Sequence, residues 1–247
     1  MIRNATNILA ICTALAMLSS CRLAESIAPG PTVTHRHELP QPFDTLLIEG
    51  MMDVVLITDS ARFAEVECPH NLHNRIGVAL CNGNLHLTND IAHRFLSGYK
   101  HIRIALHLPP NTLRSIHLTA PCAIGTADTL RTPQFGLLAR SPYVNIDITL
   151  STDYAYISSH WDNAHGEFRM AGRAAYADIE MFEGSNSFDG RLLETETTHI
   201  RHYSRSDALL GPCQTLRAGA HGTGSIYYSG EPQMHVEGDS LHVRPLP

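Results

Sequence analysis

From Thr119 onward the chain sets an apolar residue just after a small or polar cluster, and it does so seven times. The apolar anchors are Ile124, Ile146, Phe168, Phe188, Ala208, Ile226 and Val243, separated by 22, 22, 20, 20, 18 and 17 residues. Recurrence at about 20 residues, with turn residues at a fixed phase, marks a solenoid in which each repeat is one coil. Around the anchors the pattern alternates with period two, as in Val144/Ile146/Ile148/Leu150 and Ala177/Ile179/Met181, which predicts short strands. One coil cannot bury its own apolar side. Stacked coils can, with like side chains about 4.8 Å apart and backbone hydrogen bonds running from coil to coil. Each inward Ile, Leu or Phe then contributes roughly 1.5–3 kcal/mol when fully buried. The predicted fold is all-β: a parallel β-helix-like solenoid over 119–247, right-handed by the chirality of parallel crossovers.

Residues 43–118 predict an N-terminal β segment. Phe43 to Ile48 and Met52 to Thr58 are apolar and β-branched, separated by Gly50. Asn82-Gly83 lies between two apolar runs, and both residue types accept positive φ, so a hairpin is expected there. His101 to Leu108 alternates and stops at Pro109-Pro110, because proline donates nothing to a ladder. Asn89 to Lys100 is the one stretch with a helical tendency, read as a loop or a single turn. With no helices between strands, a βαβ sheet is excluded.

The first residues read as processing signals. Arg3 precedes an apolar run from Ile8 to Leu18, too short to span a bilayer. Leu18-Ser19-Ser20-Cys21 follows, a string that resembles a bacterial lipobox. That reading makes 1–20 a signal peptide and Cys21 the lipidated first residue; a plain secretory signal is the alternative. Arg22 after the cysteine, by resemblance to bacterial lipoproteins, implies the outer membrane. Residues 21–42 hold four prolines and one glycine and read as a tether between membrane and domain. His35 and His37 sit in it, and alternating histidines in such a segment are taken as solvated.

Composition narrows the partners. The whole chain has formal net charge −6, and removing Arg3 with the signal makes it more negative. That argues against nucleic acid, which demands a basic surface. After processing, Cys68, Cys81, Cys122 and Cys213 remain, and four cysteines allow three pairings. Cys68 and Cys81, near the expected hairpin, are the candidate disulfide; four free buried thiols are the alternative. No CxxC occurs, so no zinc or redox site is expected.

The corner strings resemble one known family. His221-Gly-Thr-Gly-Ser-Ile-Tyr-Tyr-Ser-Gly-Glu-Pro232 looks like the glycine-rich corner, strand and Gly-x-Pro turn of the bacterial head-GIN-domain family, which carries the label auto-transporter adhesin. Phe43 to Gly50 with Met52-Asp53-Val54 resembles the opening strands of that family, and Leu106 to Pro109 with Leu113 to Ile116 its Leu-Pro junction. The resemblance spans 43–243. It departs at the corners 121–124, 143–146 and 204–208, which lack glycine. It implies a solenoid, often in two segments, on a surface protein with no agreed catalytic residues.

Chemistry is sparse. Sixteen histidines are present without a tight ligand motif, so no metal site and no cofactor are expected. Asp178 and Glu180 share one strand face, as do Glu194 and Glu196. Paired acids serve polysaccharide-cleaving β-helices, but no acid, base and aromatic set recurs along the coils, so no catalytic residues are assigned. The aromatics best placed for a ligand surface are Trp161, Tyr143, Tyr154 and Tyr156, because exposed rings stack on sugars or pack on proteins. The expectation is a non-catalytic envelope lipoprotein, held to the membrane by its lipid anchor, that meets a glycan or protein at the cell surface. Carbohydrate binding or processing on the same scaffold is the alternative.

Overall fold

The computed structural model describes residues 30–91 and 101–247. The signal peptide, Cys21 and residues 92–100 of the stretch Asn89 to Lys100, read as a loop or a single turn, lie outside the described residues. Eighteen strands are found among those described. The first nine are β1 (Thr32–Glu38), β2 (Thr45–Ile48), β3 (Asp53–Thr58), β4 (Phe63–Pro69), β5 (Ile76–Cys81), β6 (Asn84–Asn89), β7 (Arg103–Leu108), β8 (Ser115–Leu118) and β9 (Cys122–Thr126). The rest are β10 (Leu130–Arg131), β11 (Gln134–Ala139), β12 (Tyr143–Ser159), β13 (His165–Met181), β14 (Ser187–His202), β15 (Ala208–Ala220), β16 (Ile226–Ser229), β17 (Gln233–Gly238) and β18 (Val243–Pro245). A 3-10 turn, His70–Arg75, joins β4 to β5.

These strands wind a β-solenoid of about six turns with rungs of about 21 residues. Each full rung is one long strand that bends at its middle, so β12, β13, β14 and β15 each serve two ladders. The first ladder runs in parallel from β7 through β3 and β9, then the leading halves of β12 to β15, then β16 and β18. The second runs from β6 through β2, β8 and β11, then the trailing halves of β12 to β15, then β17. The core lies between the two.

All seven predicted anchors fall in one column. The ladder register pairs Ile124 with Ile146, Ile146 with Phe168, Phe168 with Phe188, Phe188 with Ala208, Ala208 with Ile226 and Ile226 with Val243. The column continues upstream through Val54, Ile104 and Val66. A matching column, Leu85, Leu46, Ile116, Leu137, Ile157, Ile179, Ile200, Ala218 and Val236, lines the second ladder. Phe135, Phe168 and Phe188 are the bulkiest fully buried side chains.

The bend of the long rungs needs glycine at one point. Gly172 has φ +102°, and a Cβ there would overlap the Leu150 carbonyl oxygen of the previous rung. Asn82 and Gly83 have φ 51° and 78° and close the β5–β6 hairpin as expected.

Three expectations need correction. The tether was drawn to residue 42, but Thr32–Glu38 is a strand, antiparallel to β4 along its whole length. Alternation hidden in Val33, His35 and His37 makes this edge strand, and only a partner already in place shows it. The division at 118/119 is not a structural boundary: β2 pairs with β8, and β8 with β11, so parallel ladders cross it unbroken. The Cys68–Cys81 bridge is not formed, and all four described cysteines are free. Cys68 points into the core from β4, whereas Cys81 ends β5 beside the exposed hairpin turn. Five strand residues, roughly 16 Å, separate Cys81 from Ile76, where the chain returns from the 3-10 turn.

Candidate functional site

Strand alternation turns every second residue of the second ladder outward, and a rung length of about 21 brings chosen pairs into register. Tyr154 lies over Tyr176, Tyr156 over Asp178, and Asp178 over His199. Ser158 lies over Glu180, and Glu180 over Arg201. The tyrosine rings of 154 and 176 stack with centroids 5.7 Å apart. Tyr156 Oη donates to Glu180 Oε2 at 3.0 Å. Arg201 bridges the two acids: its Nη2 donates to Asp178 Oδ1 at 3.4 Å, and its Nε lies 3.3 Å from Glu180 Oε1 without hydrogen-bond alignment. His199 Nδ1 lies 3.3 Å from Asp178 Oδ1, and His160 Nε2 lies 3.6 Å from Glu180 Oε2.

The two carboxylates are largely covered, with side chains 18 % and 15 % exposed, so their field is only partly screened by water. Burial pushes the phenols of Tyr154 and Tyr156 above their ordinary range, and the nearby acids add to it. Each phenol therefore stays a neutral hydrogen-bond donor through physiological pH. The arrangement can present ring faces, phenol donors and a guanidinium on one rigid sheet.

A second column marks the turn that carries each rung from the second ladder back to the first. His160 packs on Phe182 at 4.1 Å, Phe182 on Tyr203 at 5.6 Å, and Tyr203 on His221 at 4.8 Å, one ring per rung. Inside the same turn a polar row replaces the apolar core. Asn186 Nδ2 donates to Ser159 Oγ at 2.8 Å, and Ser204 Oγ donates to the Asn186 carbonyl at 2.9 Å. His202 is fully buried there, 2.8 Å from the Ser206 carbonyl through Nε2, and burial lowers its pKa.

The four aromatics singled out from sequence fall in two places. Tyr154 and Tyr156 lie on the outer face just described. Trp161, 47 % exposed, sits at the return turn, closed by Ala164 N–H donating to its carbonyl with Asn163 at φ 57°. Tyr143 opens β12 just after the corresponding turn one rung earlier, in register with His165, whose N–H bonds the Pro142 carbonyl. Tyr143 also edges a groove of about 400 Å³ lined by Met51, Met52, Leu72, Ile91 and Ile102. Asp178 and Glu180 do share a face, as their spacing predicts. Arg201 was missed, although the period itself points to it, since it stands one rung beyond Glu180. Among the described residues no set of His, Cys, Asp or Glu side chains converges to hold a metal ion.

A parallel solenoid with smooth inner columns and one chemically varied outer face is the class this chain defines. The family described as "Putative auto-transporter adhesin, head GIN domain" matches residues 42–232, and the chain belongs to that family. Solved structures with the same fold include a putative adhesin from Bacteroides fragilis, at 17 % identity and TM-score 0.75, over 87 % of this chain and 93 % of that one. A putative adhesin from Parabacteroides merdae aligns at 16 % identity and TM-score 0.61, over 88 % and 97 % of the two chains. A protein from Parabacteroides distasonis described as a putative lipid binding protein aligns at 14 % identity and TM-score 0.62, over 88 % and 98 %. No curated protein matches the sequence.

Proposed function

We propose that this protein is a non-catalytic, lipid-anchored module of the cell envelope that binds a surface ligand, in the manner its family label suggests. Cys21 would carry the anchor, and the solenoid would hold the binding face rigid. The reading rests on one observation: Tyr154, Tyr156 and Tyr176 present ring surface outward over an ion network that spans three rungs. Exposed aromatic surface beside a half-buried arginine is the composition of interaction hot spots. Membership in the adhesin family supports the same conclusion. A carbohydrate-cleaving site is not supported, because Trp161 and the tyrosines of the outer face do not close into one groove.

The test is an array of glycans and host proteins probed with the full chain, alongside Tyr154→Ala, Tyr176→Ala and Trp161→Ala variants. Loss of a specific signal in the tyrosine variants, with unchanged thermal unfolding, is the expected outcome. Blank arrays, or equal signals from every variant, would assign the solenoid a structural role in the envelope instead.

A further inference from the structure

The first ladder ends, on its N-terminal side, on histidine rather than on an aliphatic residue. In register, Ile104 pairs with Val66, and Val66 with His35 of β1. His37 stands opposite Ala64, so both rings lie on the side of β1 that continues the core columns. His73, from the 3-10 turn, stacks on His35 with centroids 3.6 Å apart and planes at 23°. It lies 5.5 Å from the ring of His37. Nε2 of His35, Nε2 of His37 and Nδ1 of His73 are all buried without a hydrogen-bond partner.

Three imidazoles suggest a metal, but the geometry rejects it. Rings stacked face to face aim their in-plane lone pairs side by side, not at one point, and no metal-holding group is found among the described residues. What the cluster can do is take up protons. We infer that the cluster of His35, His37 and His73 is an acid-sensitive latch, which holds β1 on β4 while His37 and His73 are neutral and releases it when they are protonated. This does not depend on any ligand of the outer face.

Among the described residues the surroundings offer no compensation for the added charge. From β4, Ala64, Val66 and the thiol of Cys68 face the cluster, and burial keeps that thiol protonated. Glu65 and Glu67 alternate to the other side of the sheet. From β1, Arg36 also faces the other side, where it lies 3.5 Å over the ring of Phe63 and pairs with Glu38 at 2.6 Å. The 3-10 turn contributes His70 and Arg75, both basic, and Asp90 approaches it through its backbone N–H on the Arg75 carbonyl. The charges acting on His73 are those of His35, His37 and His70, and on His37 that of His35. Burial comes first in lowering both pKa values below the ordinary 6.5, and the neighbouring rings add to it.

The sign follows from linkage. A released β1 exposes histidines that bind protons near pH 6.5, whereas the docked cluster resists them. The docked state is therefore fully favoured above that pH and loses ground as pH falls below it. With two lowered histidines, the opening constant can grow by up to about 100-fold per pH unit in that window.

The experiment is hydrogen exchange on the full chain at about pH 7.5 and about pH 5, corrected for the intrinsic pH dependence of exchange. Amides of Thr32–Glu38 are expected to lose protection about tenfold or more at the lower pH, relative to those of β13. His73→Phe keeps a stacked ring without the charge and should flatten the response, while His70→Gln, on an exposed residue, should not. The double variant His37→Gln/His73→Phe should make protection of β1 independent of pH, whatever its absolute level. Equal protection of β1 at both pH values in the natural sequence would overturn the latch. So would an unchanged response in His73→Phe, or a gain of protection on adding zinc at neutral pH.

Discussion

The two ladders are wound by the same strands yet differ in what they bury and what they show. The inner column of the first is aliphatic or aromatic from Val66 to Val243. The second starts the same way but gives way at the return turn to Ser159, Asn186, His202 and Ser204, all buried and polar. Its outer side carries the Tyr156–Glu180–Arg201–Asp178 network. Stacking needs only that each position match its neighbours above and below. A column can therefore be apolar or polar, provided its polar members find partners nearby, as Asn186 does on Ser159 and His202 on the Ser206 carbonyl. The first ladder supplies stability by burial, and the second spends part of that margin on hydrogen-bonded and ionic groups that define a surface.

Three substitutions test that contrast. The largest effect is expected from Phe168→Ala in the first column, which opens a cavity between Ile146 and Phe188 and should cost about 3–5 kcal/mol by denaturant unfolding. A loss below about 1 kcal/mol would mean that this column collapses freely and is not the main support.

Acidification gives the next effect, and it acts on the second ladder. His202 is buried and its pKa is lowered from 6.5, so it is neutral in the folded chain. Its contribution to stability is complete above pH 6.5 and is lost as pH falls below that value, because only the unfolded chain then gains the proton. His202→Gln should flatten the part of the unfolding-midpoint profile that belongs to this residue. An unchanged profile would place the acid sensitivity elsewhere, the His35 cluster being the first place to look.

The smallest effect is expected from Glu180→Gln. Arg201 keeps 36 % of its side chain exposed, so water screens part of its pairing with Glu180, and stability should change by about 1 kcal/mol. The Tyr156 phenol should titrate closer to its ordinary value of 10 once the carboxylate beside it is neutral, a shift readable by ultraviolet absorbance. No movement of that titration would mean that burial alone sets it.

Much of this architecture was legible in the chain. The spacing of Ile124, Ile146, Phe168, Phe188, Ala208, Ile226 and Val243 predicted one column, and the register confirms each step. Asn82-Gly83 announced its hairpin, and Asp178 with Glu180 announced a shared face. The reason is local: alternation and turn chemistry are properties of neighbouring residues. What was not legible depends on residues far apart in sequence. Thr32–Glu38 looked like tether because a single edge strand with four prolines nearby has no apolar run of its own. The encounter of His35 with His73 needed both β4 and the 3-10 turn to be in place. Arg201 became part of a site only when the rung length set it against Glu180.

The amino-acid sequence alone determined that this chain coils, how long each coil is and which residues line its interior, since burying the periodic apolar side leaves a coil no other stable partner than its copy. The tertiary structure alone decided which outward and corner residues meet. A shift of a single residue in rung length would exchange every inward side chain for an outward one. Only the settled register therefore turns scattered acids, rings and histidines into a network, a stack and a latch.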